Sequence, residues 1–213
     1  MARLRLTEIF HSLQGESASV GWPTVFVRLT GCPLRCTYCD TAYAFTGGEW
    51  WELDSILAEV KNYSARHVTV TGGEPLAQPD CQGLLTALCD SGYEVSLETS
   101  GALDVAKVDP RVVKVVDIKT PSSGESARNL LANLDHLQPT DQLKFVIGDQ
   151  ADYQWSCALV DSQKLAETCT VLFSPVADVL PAATLADWVL RDRLPVRFQL
   201  QLHKALWGNT PGR

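Results

Sequence analysis

The chain has 213 residues, 46% of them hydrophobic and 20% charged, with a formal net charge of −7. That balance suits a packed soluble protein and excludes bulk disorder. It also excludes a nucleic-acid binder working through a broad basic surface, because neutralising phosphates takes clustered Lys and Arg and no such run exists.

The opening residues, MARLRLTEIFHSLQGE, alternate and hold no apolar block of signal-peptide length. No stretch reaches the roughly 20 apolar residues that span a bilayer. A cytoplasmic protein with no membrane contact and no direct nucleic-acid contact is the expectation. The first expected strand is VFVRL (25–29), rich in the branched and aromatic residues that suit a pleated sheet. Leu53, Ile56, Leu57 and Val60 then recur at the spacing of one helix face. HVTVT (67–71) reads as the next strand. Cys81, Leu84, Leu85 and Leu88 repeat the helical spacing, with Asp80 as the expected N-cap and Gly92 as the stop. EVSLET (94–99), VVKVVDI (112–118), LKFVI (143–147) and TVLFS (170–174) follow as strands. A helix is expected to open at Pro181, with Leu185, Trp188 and Val189 facing inward, before a last strand VRFQLQL (196–202).

Strands alternating with helices predict a mainly parallel α/β fold. The interval from Thr99 to Val112 is too short for a full crossover helix, so the barrel or sheet is expected to be incomplete there. No linker divides the chain, and one domain over 1–213 is expected. PSSGES (121–126) is the most loop-like stretch and follows a strand directly. In parallel α/β folds chemistry gathers at those strand ends.

Of seven cysteines, three fall within eight residues; Cys81, Cys89, Cys157 and Cys169 are scattered and read as small core hydrophobes. Without a secretion signal a disulfide framework is a poor reading. The clustered three stand in G-C-P-L-R-C-T-Y-C-D (31–40), at the spacing C-x3-C-x2-C, in the loop after the first strand. Such a loop can aim three thiolates at three corners of an iron–sulfur cube and leave the fourth iron open. Two other readings compete. Structural zinc usually pairs two short ligand hairpins, and no second hairpin of Cys or His exists. A simple electron carrier wants a fourth cysteine.

With Tyr38 as the aromatic before Cys39, and with TGGEP (71–75) ending the next strand, the pattern resembles the radical S-adenosylmethionine (SAM) superfamily. The resemblance implies a partial, incomplete TIM-like βα barrel. It implies a 4Fe–4S cluster on Cys32, Cys36 and Cys39, with the SAM amino and carboxylate groups on the fourth iron. One electron then cleaves SAM to a radical that abstracts hydrogen. By the same analogy Gly73 and Glu74 meet the methionine amino group. Tyr38 joins the cofactor site, and Asp40 is a SAM contact, a cap or a neighbour of a metal. Ser100 in the run 98–101, Asp117, Ile118 and Lys119, and Ser174, Pro175 and Val176 would line ribose, carboxylate and adenine.

Both ends of the chain narrow the resemblance. IFHSLQGES (9–17), GWPTVFVRLTGC (21–32), C-D-T (39–41) and H-K-A-L-W-G (203–208) resemble the 7-carboxy-7-deazaguanine synthase family. That family turns 6-carboxy-5,6,7,8-tetrahydropterin into 7-carboxy-7-deazaguanine with loss of ammonia, on the route to queuosine. The resemblance implies Mg²⁺ on Thr41, a pterin substrate, an electron donor such as flavodoxin, and a homodimer. Segments 1–24 and 196–213 would contribute to the substrate site. Leu13, Gln14, Gly15, Glu16, Arg28, Thr71 and His203 would touch the pterin. Gln14 offers donor and acceptor, Glu16 accepts from ring N–H groups, and Arg28 can grip a carboxylate. Ser17 stands where the family often has glycine, and the tail GNTPGR runs on past the histidine motif. The competing enzyme class is a radical SAM activating enzyme acting on a partner protein; the competing non-enzyme is a zinc-binding interaction module.

Overall fold

The computed structural model describes residues 2–208, 210 and 212. The chain opens with a long strand, β1 (Arg3–Leu13), that turns back through residues 14–22 and pairs antiparallel with β2 (Pro23–Leu29). A short edge strand β3 (Glu49–Glu52) covers the other side of β1, and α1 (Leu53–Asn62) follows. Then come β4 (His67–Gly72), α2 (Cys81–Asp90), β5 (Glu94–Thr99), β6 (Val113–Ile118) and β7 (Gln142–Ile147). The chain closes with α3 (Gln150–Ser162), α4 (Leu165–Thr168), β8 (Thr170–Pro175), α5 (Ala182–Asp192), β9 (Arg197–Phe198) and α6 (Leu202–Trp207).

The nine strands form one sheet in the order β3-β1-β2-β4-β5-β6-β7-β8-β9, parallel from β2 onward. The order runs from one edge to another, so the sheet is an open, partial barrel. Its incompleteness shows in the crossovers. Residues 100–112 carry no helix, as expected from their length, and 119–141 hold only 3₁₀ turns.

Periodicity explains the layers. Cys81, Leu84, Leu85 and Leu88 are all fully buried, and Ile56 and Val60 likewise; each leucine, isoleucine and valine among them contributes about 1.5–3 kcal/mol of burial. They pack on Val25, Val27, Val68 and Val70 of the sheet, while Leu185 and Val189 of α5 cover Phe145 and Phe173 farther along. Gly92 stops α2 as expected: at φ +86° it lets its own N–H reach Cys89 O and the Tyr93 N–H reach Leu88 O. Asp80 stands at the N-cap but its carboxylate is turned aside, accepting from the Arg3 N–H at 3.0 Å. Pro181 is the cap of α5 rather than its first residue.

The expected strand 196–202 needs correction. Only Arg197 and Phe198 pair with β8. Beyond them the chain leaves the sheet, because the Leu202 N–H donates to Gly15 O at 2.8 Å and Gln199 turns its side chain to Ser17. The C-terminal segment thus folds onto the N-terminal one.

Candidate active site

The carboxyl ends of β2, β4, β5, β6 and β7 surround a cavity of about 570 Å³. Residues 13–16 join its wall together with Gln201, His203, Lys204, Gly208, Thr210 and Gly212, so an N-terminal and a C-terminal segment meet over the strand ends. Of segment 196–213, residues 209, 211 and 213 lie outside the described residues.

The cysteine loop forms one side. Gly31 enters it at φ +100°, a conformation glycine adopts without steric cost. The TGGEP turn packs tightly beneath: the Glu74 N–H donates to Gly31 O at 2.8 Å, and a methyl group on Gly73 would stand 2.2 Å from that same oxygen. The far side of the loop rests on residues 120–125. The Thr37 N–H and hydroxyl donate to the carbonyls of Ser123 and Ser122 at 3.0 and 2.7 Å, and the Arg35 N–H donates to Glu125. The loop-like PSSGES is therefore a cradle for the cysteines. Cys32, Cys36 and Cys39 are free thiols, half-buried, and all three face the cavity. Burial pushes the thiols of Cys32 and Cys36 upward. Burial also raises the Tyr38 phenol to about 12.

Most expected cofactor residues reach the cavity: Tyr38, Asp40, Gly73, Ser100, Asp117, Lys119 and Val176 all line it. Ile118, Ser174 and Pro175 do not; Ile118 is packed among Phe145, Phe173 and Leu143, and Ser174 and Pro175 are buried in β8. The side chain of Glu74 also requires correction. It is fully buried and already accepts from the Thr99 hydroxyl at 2.9 Å, the Ser100 N–H at 2.7 Å, the Ser100 hydroxyl and the Leu76 N–H. Glu74 ties the glycine turn to the end of β5, and its carboxylate has no face toward an ammonium group in the cavity.

The expected substrate residues Leu13, Gln14, Gly15, Glu16, Arg28, Thr71 and His203 all line the cavity. Their partners differ from the simple expectation. The Gln14 amide N–H groups donate to Thr69 and Glu98 at 3.0 and 3.2 Å, and its oxygen accepts from the Glu16 N–H. Gln14 is thus a brace for the turn, already occupied at both ends. Arg28 donates through Nε to Glu8 at 2.7 Å and lies over the rings of Phe10 and Tyr43. Thr71 donates to Glu98 at 3.0 Å. Thr41 donates to Asp40 at 2.8 Å, and Asp40 pairs with Lys204 at 3.1 Å.

A largely enclosed group absent from the sequence reading sits between these sets. Lys144 of β7 reaches Glu16 at 2.5 Å and Asp117 at 3.2 Å, and Asp117 pairs again with Lys119 at 3.1 Å. Burial alone would lower the Lys144 ammonium, but Glu16 and Asp117 outweigh it and hold it well above the usual lysine range. Burial would likewise raise Asp117, and Lys119 and Lys144 outweigh that in the other direction. Glu98, Tyr43, Phe10 and Gln201 also line the cavity.

Comparison with known proteins agrees with this geometry. Residues 26–117 match the Radical SAM superfamily. A 7-carboxy-7-deazaguanine synthase of Chlorobaculum tepidum is 47% identical over 97% of this chain and 95% of its own length. Those of Koribacter versatilis and Thermoplasma acidophilum are 42% and 36% identical, each over at least 96% of both chains. This chain belongs to the 7-carboxy-7-deazaguanine synthase family. The crystal structure of QueE from Escherichia coli shares the fold, with a TM-score of 0.79 at 24% identity over 94% of this chain and 95% of that one. Streptococcus suis SuiB bound to S-adenosylmethionine is more distant, at a TM-score of 0.59 and 15% identity, covering 83% of this chain and 47% of that one.

Membership of a radical SAM family implies a 4Fe–4S cluster and SAM. The residues present fit both. Three free thiols on one loop face one cavity, and the glycines beneath them leave backbone exposed where a side chain would not fit. Among the described residues no three His, Cys, Asp or Glu side chains converge as a single ion would need. A cluster whose corner irons take one thiolate each makes no such demand. No helix among the described residues is long and apolar enough to cross a membrane.

Proposed function

We propose that this chain converts 6-carboxy-5,6,7,8-tetrahydropterin to 7-carboxy-7-deazaguanine with release of ammonia, as a lyase of 7-deazapurine and queuosine biosynthesis. The observation that carries the reading is the shared cavity: three cysteine thiols and the Glu16, Arg28, Thr71 and His203 side chains open into one space. When bound, the cluster and SAM supply hydrogen-atom abstraction and return at the substrate. Cys32, Cys36 and Cys39 hold the cluster. Tyr38, Gly73, Ser100, Asp117, Lys119 and Val176 border SAM.

The protein's own residues then bind and orient the pterin. Glu16 accepts from the N–H edge, and the backbone of residues 13–15 meets the ring. Arg28 faces the substrate carboxylate, with its Nε committed to Glu8 and its plane steadied by Phe10 and Tyr43. Thr71 and His203 close the two flanks. Thr41, beside Asp40, offers the hard oxygen donors that Mg²⁺ prefers. The described residues of segments 1–24 and 196–213 contribute to the substrate site of a single domain. The reading extends to an electron donor such as flavodoxin, a cytoplasmic setting and a homodimer.

The test is anaerobic incubation with 6-carboxytetrahydropterin, SAM, Mg²⁺ and a reductant, with mass detection of the product. Formation of 7-carboxy-7-deazaguanine and ammonia is expected. Reductive SAM cleavage with the pterin left intact would overturn the substrate assignment.

A further inference from the structure

We propose that Lys144 is a positioning residue for substrate recognition: its ammonium, shared between Glu16 and Asp117, holds the Glu16 carboxylate in the orientation that reads the pterin's N–H edge. The inference rests on the functional reading above and adds to it a residue that no sequence motif marks.

Glu16 stands in the turn between β1 and β2, with no regular backbone pairing to fix it. Its side chain is fixed from outside. One carboxylate oxygen takes Lys144 Nζ at 2.5 Å, and the other takes the amide N–H of Gln201 at 2.5 Å. A carboxylate oxygen can accept from two donors. Each Glu16 oxygen therefore keeps one acceptor direction, and the two oxygens of one carboxylate can serve a pair of donors at once. A ring N–H next to an exocyclic amino group, as on the pyrimidine edge of a pterin, presents two parallel donors to such a pair.

Lys144 is well placed to impose this. It lies on a central strand, opposite Asp117 in the parallel register of β6 and β7. Its side chain is 12% exposed, beside 9% for Glu16 and 15% for Asp117, so water screens the group weakly. Asp117 fixes the ammonium from the cofactor side, and Glu98 adds a third carboxylate nearby. Without Lys144, Asp117 would keep Lys119, but Glu16 would face Asp117 and Glu98 with no cation of its own. Repulsion would then turn Glu16, the one carried by a loop, away from its acceptor geometry.

The test is a double-mutant cycle on the cluster-bearing, SAM-loaded enzyme. Binding of 6-carboxytetrahydropterin is measured by calorimetry, alongside KM and kcat, for Lys144→Met, Lys144→Arg, Glu16→Gln and the Glu16→Gln/Lys144→Met pair. Lys144→Met is expected to weaken binding about tenfold or more, the scale of a lost charge-assisted hydrogen bond. KM should rise in step, kcat should fall less, and Lys144→Arg should recover part of the loss. Because the lysine acts through Glu16, the double variant should bind within about twofold of the weaker single variant. Losses that multiply, or a Lys144→Met enzyme that binds pterin like the wild type, would overturn the proposal. Should Lys144→Met lose its cluster, Lys144→Arg with Glu16→Gln gives the same cycle with the charge kept. A wild type that binds no pterin would instead overturn the functional reading and this inference with it.

Discussion

The imidazole of His203 lies directly against the backbone of Gly15: a methyl group on that glycine would stand 2.1 Å from His203 Nδ1. The Leu202 N–H, one residue earlier, donates to Gly15 O at 2.8 Å. The two ends of the chain are therefore locked together at a point where only glycine fits, on the wall of the cavity. Gly15→Ala should push His203 and α6 outward at a cost of about 1–3 kcal/mol, the usual range for overpacking. We expect a lower melting temperature and a raised KM for the pterin. Cluster absorbance should not change, because the cysteine loop rests on residues 120–125 instead. An enzyme with unchanged KM would show that this contact does not shape the substrate wall.

Cys36→Ala removes one of three thiols that share the loop. The four other cysteines cannot replace it: Cys81 and Cys169 are buried in the core, while Cys89 and Cys157 lie on helices and line no part of the cavity. Loss of both iron content and reductive SAM cleavage is expected in protein that still melts cooperatively. Cleavage at the wild-type rate in that variant would remove Cys36 from the cluster.

The parts of the site that sequence reading located are those written in local spacing. Cys32, Cys36 and Cys39 share one loop, and TGGEP follows one strand later, so their meeting needs only parallel strand order. Lys144 could not be found that way, because Glu16 is 128 positions distant and nothing in LKFVI marks its lysine as special. Gln199 is 182 positions from Ser17, and VRFQLQL alternates like a strand although tertiary contacts draw most of it out of the sheet. Asp80 and Glu74 show the converse limit. Their sequence contexts suggest a cap and a ligand, but long-range donors from Arg3 and from Thr99 and Ser100 claim their carboxylates.

Thr41→Ala should weaken the response to Mg²⁺ while leaving the cluster in place. Thr41 lines the cavity, and among the described residues its hydroxyl donates to the neighbouring Asp40, which Lys204 holds from the other side. Removing it subtracts one hard oxygen donor without touching a thiol. Turnover measured against Mg²⁺ concentration should shift to higher concentration, with iron content unchanged. A curve that superimposes on the wild type would take Thr41 out of the metal's shell.

Ser17 occupies the left-handed region at φ +68°, a conformation that glycine adopts without steric cost. An ordinary residue pays roughly 1–2 kcal/mol there. The turn keeps the shape that glycine would give it because Gln199 clamps the Ser17 backbone on both sides, accepting from its N–H at 2.7 Å and donating to its carbonyl at 2.8 Å. Ser17→Gly relieves the steric cost but gives up roughly 0.5–1 kcal/mol through the looser unfolded chain and also loses the hydroxyl contacts to Ser19, so its melting temperature should stay close to that of the wild type. Ser17→Val places a β-branched side chain in the same conformation and loses the hydroxyl contact to Ser19. At roughly 2–4 °C per kcal/mol for a chain of this size, a cost of about 1–3 kcal/mol should lower its melting temperature by several degrees. Since Glu16 precedes this turn, the valine variant should also show a raised KM for the pterin. Equal stability of the glycine and valine variants would mean that the turn relaxes out of the left-handed region and that Gln199 does not hold it.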